Sequence, residues 1–498
     1  MKICLTNPPA VYELIGNDPV IIKDQQGVYP PLGILYMAAY LKATGKYDVS
    51  VIDAQAEELS HEEVAERIAQ INPDIVGITA MTFTLVDVKL CVQAIRRRNL
   101  KAKVVIGGPH TAIFPEECFE KNGLNADYVV VGEGEKTMDR LAEDVALGRE
   151  QSNFVGNSRI YRQLSFIENL DELPFPAREL THIDKYYSVL SEDTPTTTAF
   201  SSRGCPFSCA YCDRPALGKG FRAMSATRVA DEMEWCQKAG IKEIFFYDDT
   251  FSVSMKRVME ICNEVKRRNI KIKWDVRTRV NVVNDDLLKA MKEAGCERIH
   301  FGVETANPRV VKELQKGTTN LQVEKAFDMC KKHGIKTLAY FMMGNPTETM
   351  EDVKETLALS RRIKPDFMQM TILSPFPATQ IYLRALEEGV VTGDPWRDYA
   401  KNINDDFRPP LWDQIYRRNE LEQHLRWFYG QFYLQPKFIL DRVMEVRNIP
   451  QFKRYASAGW SLLKMTFTPE SKIRDSWGLR DRTGIANSAK PEAAVTLK

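Results

Sequence analysis

Between residue 2 and about residue 148, short β-branched runs alternate with segments of helical period. The runs cover 2–6, 48–52, 75–79, 104–106 and 128–131, and amphipathic stretches fill 32–42, 62–70, 85–97 and 135–146 between them. A parallel sheet covered by helices on both faces is written this way, because every crossover must carry the chain back to the same end of the sheet. Five strands with their helices predict a flavodoxin-like, Rossmann-like α/β domain over residues 1–150. Ligands of such sheets sit past the carboxyl ends of the strands. The informative residues therefore follow each run: Asn7, Pro8 and Pro9; Asp53; Thr79, Met81 and Thr82; Gly107, Gly108, Pro109 and His110; Gly132, Glu133, Gly134 and Glu135.

A dinucleotide fold would carry G-x-G-x-x-G after its first strand, where glycines admit a pyrophosphate, and prolines stand there instead. Gly132 and Gly134 read equally well as a tight turn into a helix, and Gly107 with Gly108 has the same two readings. His110 reads as a ligand, a polar contact or an ordinary loop residue. Sixty-eight basic and 67 acidic residues leave a charge of +1, without the basic excess of a phosphate-backbone binder, so no nucleic-acid partner is expected. No run approaches the roughly 18–20 apolar residues that span a bilayer. The first residues have no cationic stretch leading into an apolar core and cleavage site, and a cytoplasmic, reducing location is expected.

Residues 151–195 break the alternation and read as a proline-fixed connector. Next comes a strand and a loop in which Cys205, Cys209 and Cys212 are spaced C-x3-C-x2-C. Three thiolates from one loop can hold three irons of a [4Fe-4S] cube and leave the fourth open to a small molecule, whereas a four-cysteine site is closed. The other reading is a structural zinc knot, which wants a second C-x2-C hook or a histidine partner. No such hook follows, and the next cysteine, Cys236, lies in a segment of helical period.

With Tyr211 in the aromatic place, the loop resembles the C-x3-C-x-aromatic-C signature of the radical S-adenosylmethionine (SAM) superfamily, and the likeness extends over about 197–372. Strand-like runs recur there at 243–247, 273–277, 298–302, 337–342 and 367–372, which with the run before the cysteines gives a partial (β/α)6 TIM barrel over 196–375. The resemblance places SAM at the strand ends. It implies Asp248 or Asp249 on the amino group, Arg277 or Arg279 on the carboxylate, Glu304 on the ribose, and Gly344 and Pro346 on the adenine side. An ordinary network of rim ion pairs is the competing reading of each.

A Rossmann-like domain ahead of such a barrel is similar to the cobalamin (B12)-binding branch of that superfamily, which holds methylases, the anaerobic magnesium-protoporphyrin cyclase and lipid-modifying enzymes. This likeness implies cobalamin contacts at Thr79, Thr82, Gly107, Gly108, His110, Gly132, Glu133 and Gly134. None of the six histidines follows an aspartate by two residues, so the D-x-H-x-x-G axial motif is missing; that suits cobalamin held without it and equally a domain that binds none. What the resemblance implies is reductive cleavage of SAM to a 5′-deoxyadenosyl radical, hydrogen abstraction from an unactivated carbon, cobalamin-dependent methyl transfer, and an electron donor such as flavodoxin or ferredoxin. A radical cyclase, oxidase or carbon–carbon coupling enzyme without methyl transfer is the second reading, and a non-catalytic metal-binding protein the third.

Residues 376–470 are expected to form a mainly helical cap over the barrel opening. Its aromatics (Trp396, Trp412, Trp427, Phe428, Tyr429, Phe432, Tyr433, Phe438 and Trp460) either line a pocket for a large apolar small molecule such as a tetrapyrrole or lipid, or pack a core. Cations and aromatics mixed over 442–465 suit a peripheral membrane contact, and 471–498 read as a disordered tail.

Overall fold

Strands β1 (Lys2–Asn7), β2 (Asp48–Asp53), β3 (Ile75–Thr79), β4 (Lys103–Gly107), β5 (Tyr128–Val131) and β6 (Ile160–Arg162) form one parallel sheet in the order β2-β1-β3-β4-β5-β6. The computed structural model describes residues 1–14, 27–149, 158–191, 193–212 and 217–444, with isolated positions between 456 and 463. The flavodoxin-like order is as expected, with one addition. β6 comes from the stretch read as connector and pairs with β5, because Ile160 and Tyr161 are buried beside it. Period alone misses so short a strand. Alternate β1 residues face opposite helix layers: Ile3 and Leu5 pack under α1 (Leu32–Ala43) and α4 (Gly134–Ala146), and Cys4 under α2 (His61–Ile71) and α3 (Leu85–Arg97).

The second sheet holds β7 (Thr196–Ala199), β10 (Glu243–Phe246), β11 (Lys273–Thr278), β12 (Cys296–Glu304), β13 (Lys336–Met343) and β14 (Phe367–Ile372), all parallel and in sequential order. Six such strands make an open barrel rather than a closed one. Outer helices α5 (Ala226–Lys238), α6 (Met255–Arg267), α7 (Asp285–Glu293), α9 (Asn320–Lys332) and α10 (Met350–Ile363) each begin at a Ser, Asn or Thr whose side chain accepts a backbone N–H of the first turn. The short α8 (Pro308–Glu313) lies between β12 and α9. A small antiparallel pair, β8 (Ser202–Arg203) with β9 (Arg222–Ala223), brackets the cysteine loop.

The C-terminal region is helical, as α11 (Gln380–Glu387), α12 (Pro395–Lys401), α13 (Arg418–Tyr433) and α14 (Pro436–Met444). Its placement differs from the expected cap over the opening, because α13 seals the barrel's open edge. The Tyr429 hydroxyl accepts from the Met370 N–H and donates to its carbonyl, both at 3.0 Å, and the Tyr433 hydroxyl does the same at Met368 at 2.9 and 2.6 Å. Two phenols thus occupy the backbone groups that an edge strand would otherwise leave bare. Phe428, Tyr429 and Phe432 are buried in the barrel core, and Trp396 and Trp412 in a cluster shared with the first domain, so these aromatics pack a core. Most of 442–465 and all of 471–498 lie outside the described residues, and with them the expected membrane contact and tail. Among the described residues no helix is long and apolar enough to cross a membrane.

Candidate active site

The cysteine loop leaves the carboxyl end of β7, where a βα barrel keeps its chemistry. Cys205 is buried, Cys209 half-buried and Cys212 exposed. Donors approach two of the sulfurs: Arg279 Nη1 donates to Cys209 Sγ at 3.1 Å, and Thr250 Oγ1 lies 3.4 Å from Cys205 Sγ. Among the described residues no three His, Cys, Asp or Glu side chains close on one point. The loop therefore offers the donor set of a three-cysteine cluster, thiolates with a charged hydrogen-bond donor beside them, rather than a finished coordination shell.

Beside it sits a triad of buried Glu304 and Lys316 with half-buried Tyr211. Glu304 Oε1 accepts from Lys316 Nζ at 2.7 Å and from the Tyr211 hydroxyl at 3.0 Å, and Lys316 also reaches that hydroxyl at 3.0 Å. Glu304 holds a left-handed φ of 70° where the β12–β13 register shifts. Its carboxylate and Lys316 fill the space over Gly302, where a β-carbon would meet them at 2.5 and 2.7 Å. Burial, with Glu304 adding to it, pushes the Tyr211 phenol well above its usual range and keeps it a neutral donor. Lys316 was invisible to sequence reasoning, since a lysine before a glycine carries no signal.

The two aspartates part company. Asp248 is 1% exposed, and its carboxylate accepts the Ser201 N–H at 2.7 Å and the Ser201 and Ser202 hydroxyls at 2.5 and 2.6 Å. It braces the start of the cysteine loop, while Asp249 is exposed. The arginines divide as well: Arg279 stands at the cysteines and Arg277 deeper in the barrel, its guanidinium 4.2 Å over the Tyr247 ring. Gly344 opens the turn after β13 at φ 72°, and Pro346 is buried behind Asn345, which donates to Glu348 at 3.1 Å. Burial pushes the Glu348 carboxyl up to about 7.

The carboxyl edge of the first sheet faces this loop. Phe83 and Phe114 from that edge share an apolar cluster with Ala210 of the cysteine loop and with Trp396, which lies 6.4 Å from Phe83. A buried ion clasp completes the contact. Glu133 Oε1 accepts from Arg203 at 2.8 Å and Arg222 at 2.9 Å, and Glu135 Oε1 accepts from Arg203 at 2.5 Å. Glu133, expected at cobalamin, is thereby committed to the barrel. His110 is 1% exposed, its Nδ1 lies 3.1 Å from Thr82 Oγ1, and burial pushes it down to about 3, so neither residue presents a group at the edge. Gly132 holds a left-handed φ of 91° and a β-carbon there would meet the Gln163 side chain, whereas one at Gly134 would meet only the terminal methyl of Met37. Gly108, at φ 100°, would drive a β-carbon to 2.7 Å from the Ala80 carbonyl. Half-exposed Thr79, Gly107 and Gly108, beside exposed Met81, leave a low edge of mixed polarity that suits a flat ligand without an axial histidine.

A flavodoxin-like edge held against a three-cysteine loop on an open six-stranded barrel defines a class, the SAM-cleaving radical enzymes that carry a cobalamin domain. The Radical SAM superfamily matches residues 200–360 and the B12 binding domain residues 19–142. An uncharacterised methyltransferase of Pyrococcus horikoshii is 34% identical over 89% of this chain and 95% of its own length. The anaerobic magnesium-protoporphyrin IX monomethyl ester cyclase of Rubrivivax gelatinosus is 29% identical over 87% of this chain and 80% of its own. Among solved structures, the radical enzyme OxsB with aqua-cobalamin shares the fold with a TM-score of 0.69 at 17% identity, covering 97% of this chain and 75% of that one. The methyltransferase TsrM of Kitasatospora setae gives 0.63 at 20% identity over 79% of each. The chain belongs to the cobalamin-dependent radical SAM family of methyltransferases and cyclases, whose cofactors are a [4Fe-4S] cluster, SAM and cobalamin.

Proposed function

We propose that this chain abstracts hydrogen from an unactivated carbon of a small molecule and methylates the resulting radical. The observation that carries the reading is the clasp of Glu133 and Glu135 on Arg203 and Arg222, which holds the cobalamin edge against the cysteine loop. Bound together, the cluster and SAM supply one-electron cleavage to a 5′-deoxyadenosyl radical, and cobalamin supplies a methyl group. Cys205, Cys209 and Cys212 ligate iron, and Arg279 donates to the Cys209 sulfur. Exposed Asp249 accepts from the SAM ammonium, Glu304 with Lys316 receives the ribose hydroxyls, and Gly344 and Pro346 flank the adenine. Thr79, Gly107 and Gly108 carry cobalamin, and the aromatic cluster of Phe83, Phe114 and Trp396 excludes water between the two halves. A one-electron donor such as flavodoxin or ferredoxin feeds the site.

Likeness to a cyclase over most of the chain favours a second reading on the same residues, radical cyclisation or coupling without methyl transfer. Anaerobic reconstitution with iron, sulfide and cobalamin, then turnover with methyl-labelled SAM, separates the two. Label in product supports methylation, and deoxyadenosine with unlabelled product supports cyclisation. The Cys209→Ala variant is expected to form no deoxyadenosine. Full turnover by that variant, or a reduced-cluster paramagnetic resonance spectrum unmoved by SAM, sinks both readings.

A further inference from the structure

The barrel lumen is polar and open to solvent. On β14, inward-facing Gln369 and Thr371 are half-buried, whereas Met368, Met370 and Ile372 are buried on the helix side. Gly302 on β12 and Tyr340 on β13 are likewise only half-buried. A βα barrel usually fills this space with branched aliphatic side chains, so an accessible lumen is built to hold something.

Two guanidiniums and two carboxylates share the lumen, and they divide into two tiers. Arg298 donates to Asp275 at 3.1 Å and lies 3.6 Å from Glu243. His300 lies 3.1 Å from the same aspartate and 3.0 Å from the Tyr340 hydroxyl, and Ser191 donates to Glu243 at 2.5 Å. These contacts engage both lumen carboxylates. Arg277, exposed to the lumen one tier above them, makes no ion pair with a described residue and rests on the face of Tyr247 at 4.2 Å. Tyr29 closes that side, its ring 5.8 Å from Tyr247 and edge-on to it. Tyr340 hydrogen-bonds the same guanidinium, and the other N–H groups of its planar fork remain for a bidentate acceptor.

We propose that Arg277 receives a single carboxylate of the substrate, with Tyr29, Tyr247 and Tyr340 walling the apolar, ring-bearing body that carries it. The proposal rests on the enzymatic reading above and names its substrate class. One guanidinium with no described carboxylate in contact matches a monoanion. The tier is set by geometry: Arg279, two residues further along, stands at Cys209 and belongs to the SAM end, and Arg277 lies roughly 7 Å deeper at 3.3 Å per residue. A molecule anchored there extends toward the cysteines, where its reacting carbon must be.

Naphthylacetate and naphthylethanol differ in the carboxylate alone, and their fluorescence can be titrated with the anaerobic holoprotein. The acid is expected to bind at least about tenfold tighter than the alcohol, with the preference lost in Arg277→Gln and reduced in Arg277→Lys, which keeps charge without the fork. Arg277→Gln is also expected to keep the SAM-induced change in the cluster's paramagnetic resonance spectrum. Equal binding of acid and alcohol, no binding of the acid, or a preference that survives Arg277→Gln overturns the proposal. So does loss of the SAM response in that variant, which would assign Arg277 to SAM. If Arg277→Gln fails to fold, an unchanged preference in Arg277→Lys overturns it instead. A wild-type cluster that ignores SAM removes the enzymatic reading while the acid-over-alcohol comparison still decides the lumen site.

Discussion

Replacing Glu133 by alanine tests how the two halves are held. The carboxylate takes Arg203 and Arg222 on one oxygen, and its other oxygen accepts the Ile167 N–H at 2.7 Å. The Arg203 and Glu133 side chains are 5% and 2% exposed, so solvent does little to screen the pair. Removing one partner of a buried pair costs about 3–5 kcal/mol, because the other charge stays buried without it. Arg203 keeps Glu135, which argues for the lower end, about 3 kcal/mol or roughly a hundredfold in a local opening equilibrium. A multidomain chain has no single unfolding free energy, so the reporter must be local. Amide hydrogen exchange across β8 and β9 is that reporter, since these strands carry both arginines. Exchange there is expected to accelerate about a hundredfold in Glu133→Ala. Glu133→Gln, which still accepts from Ile167, should fall between it and wild type. Rates within threefold of wild type in a folded Glu133→Ala protein would refute the clasp as the tie between the domains.

Three further outcomes are expected. Tyr429→Phe leaves the Met370 N–H and carbonyl unpaired inside the protein, which should cost about 1–3 kcal/mol and speed exchange at Met370 without loss of helix. Glu348 has its folded-state value raised by burial to about 7, so its stabilising effect is complete below the unfolded value near 4.5 and is lost as pH rises toward 7. That loss is about 3 kcal/mol, and it is read locally: exchange of the Asn345 amide, corrected for its intrinsic rate, should rise from pH 4.5 to 7.5, and Glu348→Gln should flatten the trend. Gly108→Ala should speed exchange of the His110 amide and reduce cobalamin retention, since the added carbon meets the Ala80 carbonyl at φ 100°; unchanged exchange there would count against this account of the β4 turn.

The strands of the two parallel sheets other than β6 were legible because each is a short apolar run set off by segments of helical period, and burial enforces both patterns locally; the two-residue strands β8 and β9 were not. β6 was not, being three residues long and stabilised only by its place beside β5. The cysteines were legible from spacing, since three ligands on one loop need no tertiary contact to be near one another. The rest of the site was readable only by position, because a carboxylate at a strand end looks the same whether it meets a ligand or an arginine. Asp248 and Asp249 are neighbours, yet the first is enclosed by Ser201 and Ser202 and the second faces outward. Glu133 finds its partners 70 and 89 residues away.

By itself, then, the order of residues determined two parallel βα sheets, the ends at which their loops gather, and a trio of thiols on one of them. Tertiary structure decided which polar groups are committed and which remain available: His110 and Glu133 enclosed, Lys316 drawn to Glu304, Tyr429 and Tyr433 sealing the open edge, and Arg277 left without a described carboxylate in contact. The physical reason is one of range. Hydrophobic period acts over a few residues along the chain, whereas the pairing of charges and hydrogen bonds depends on what packing brings within about 3 Å.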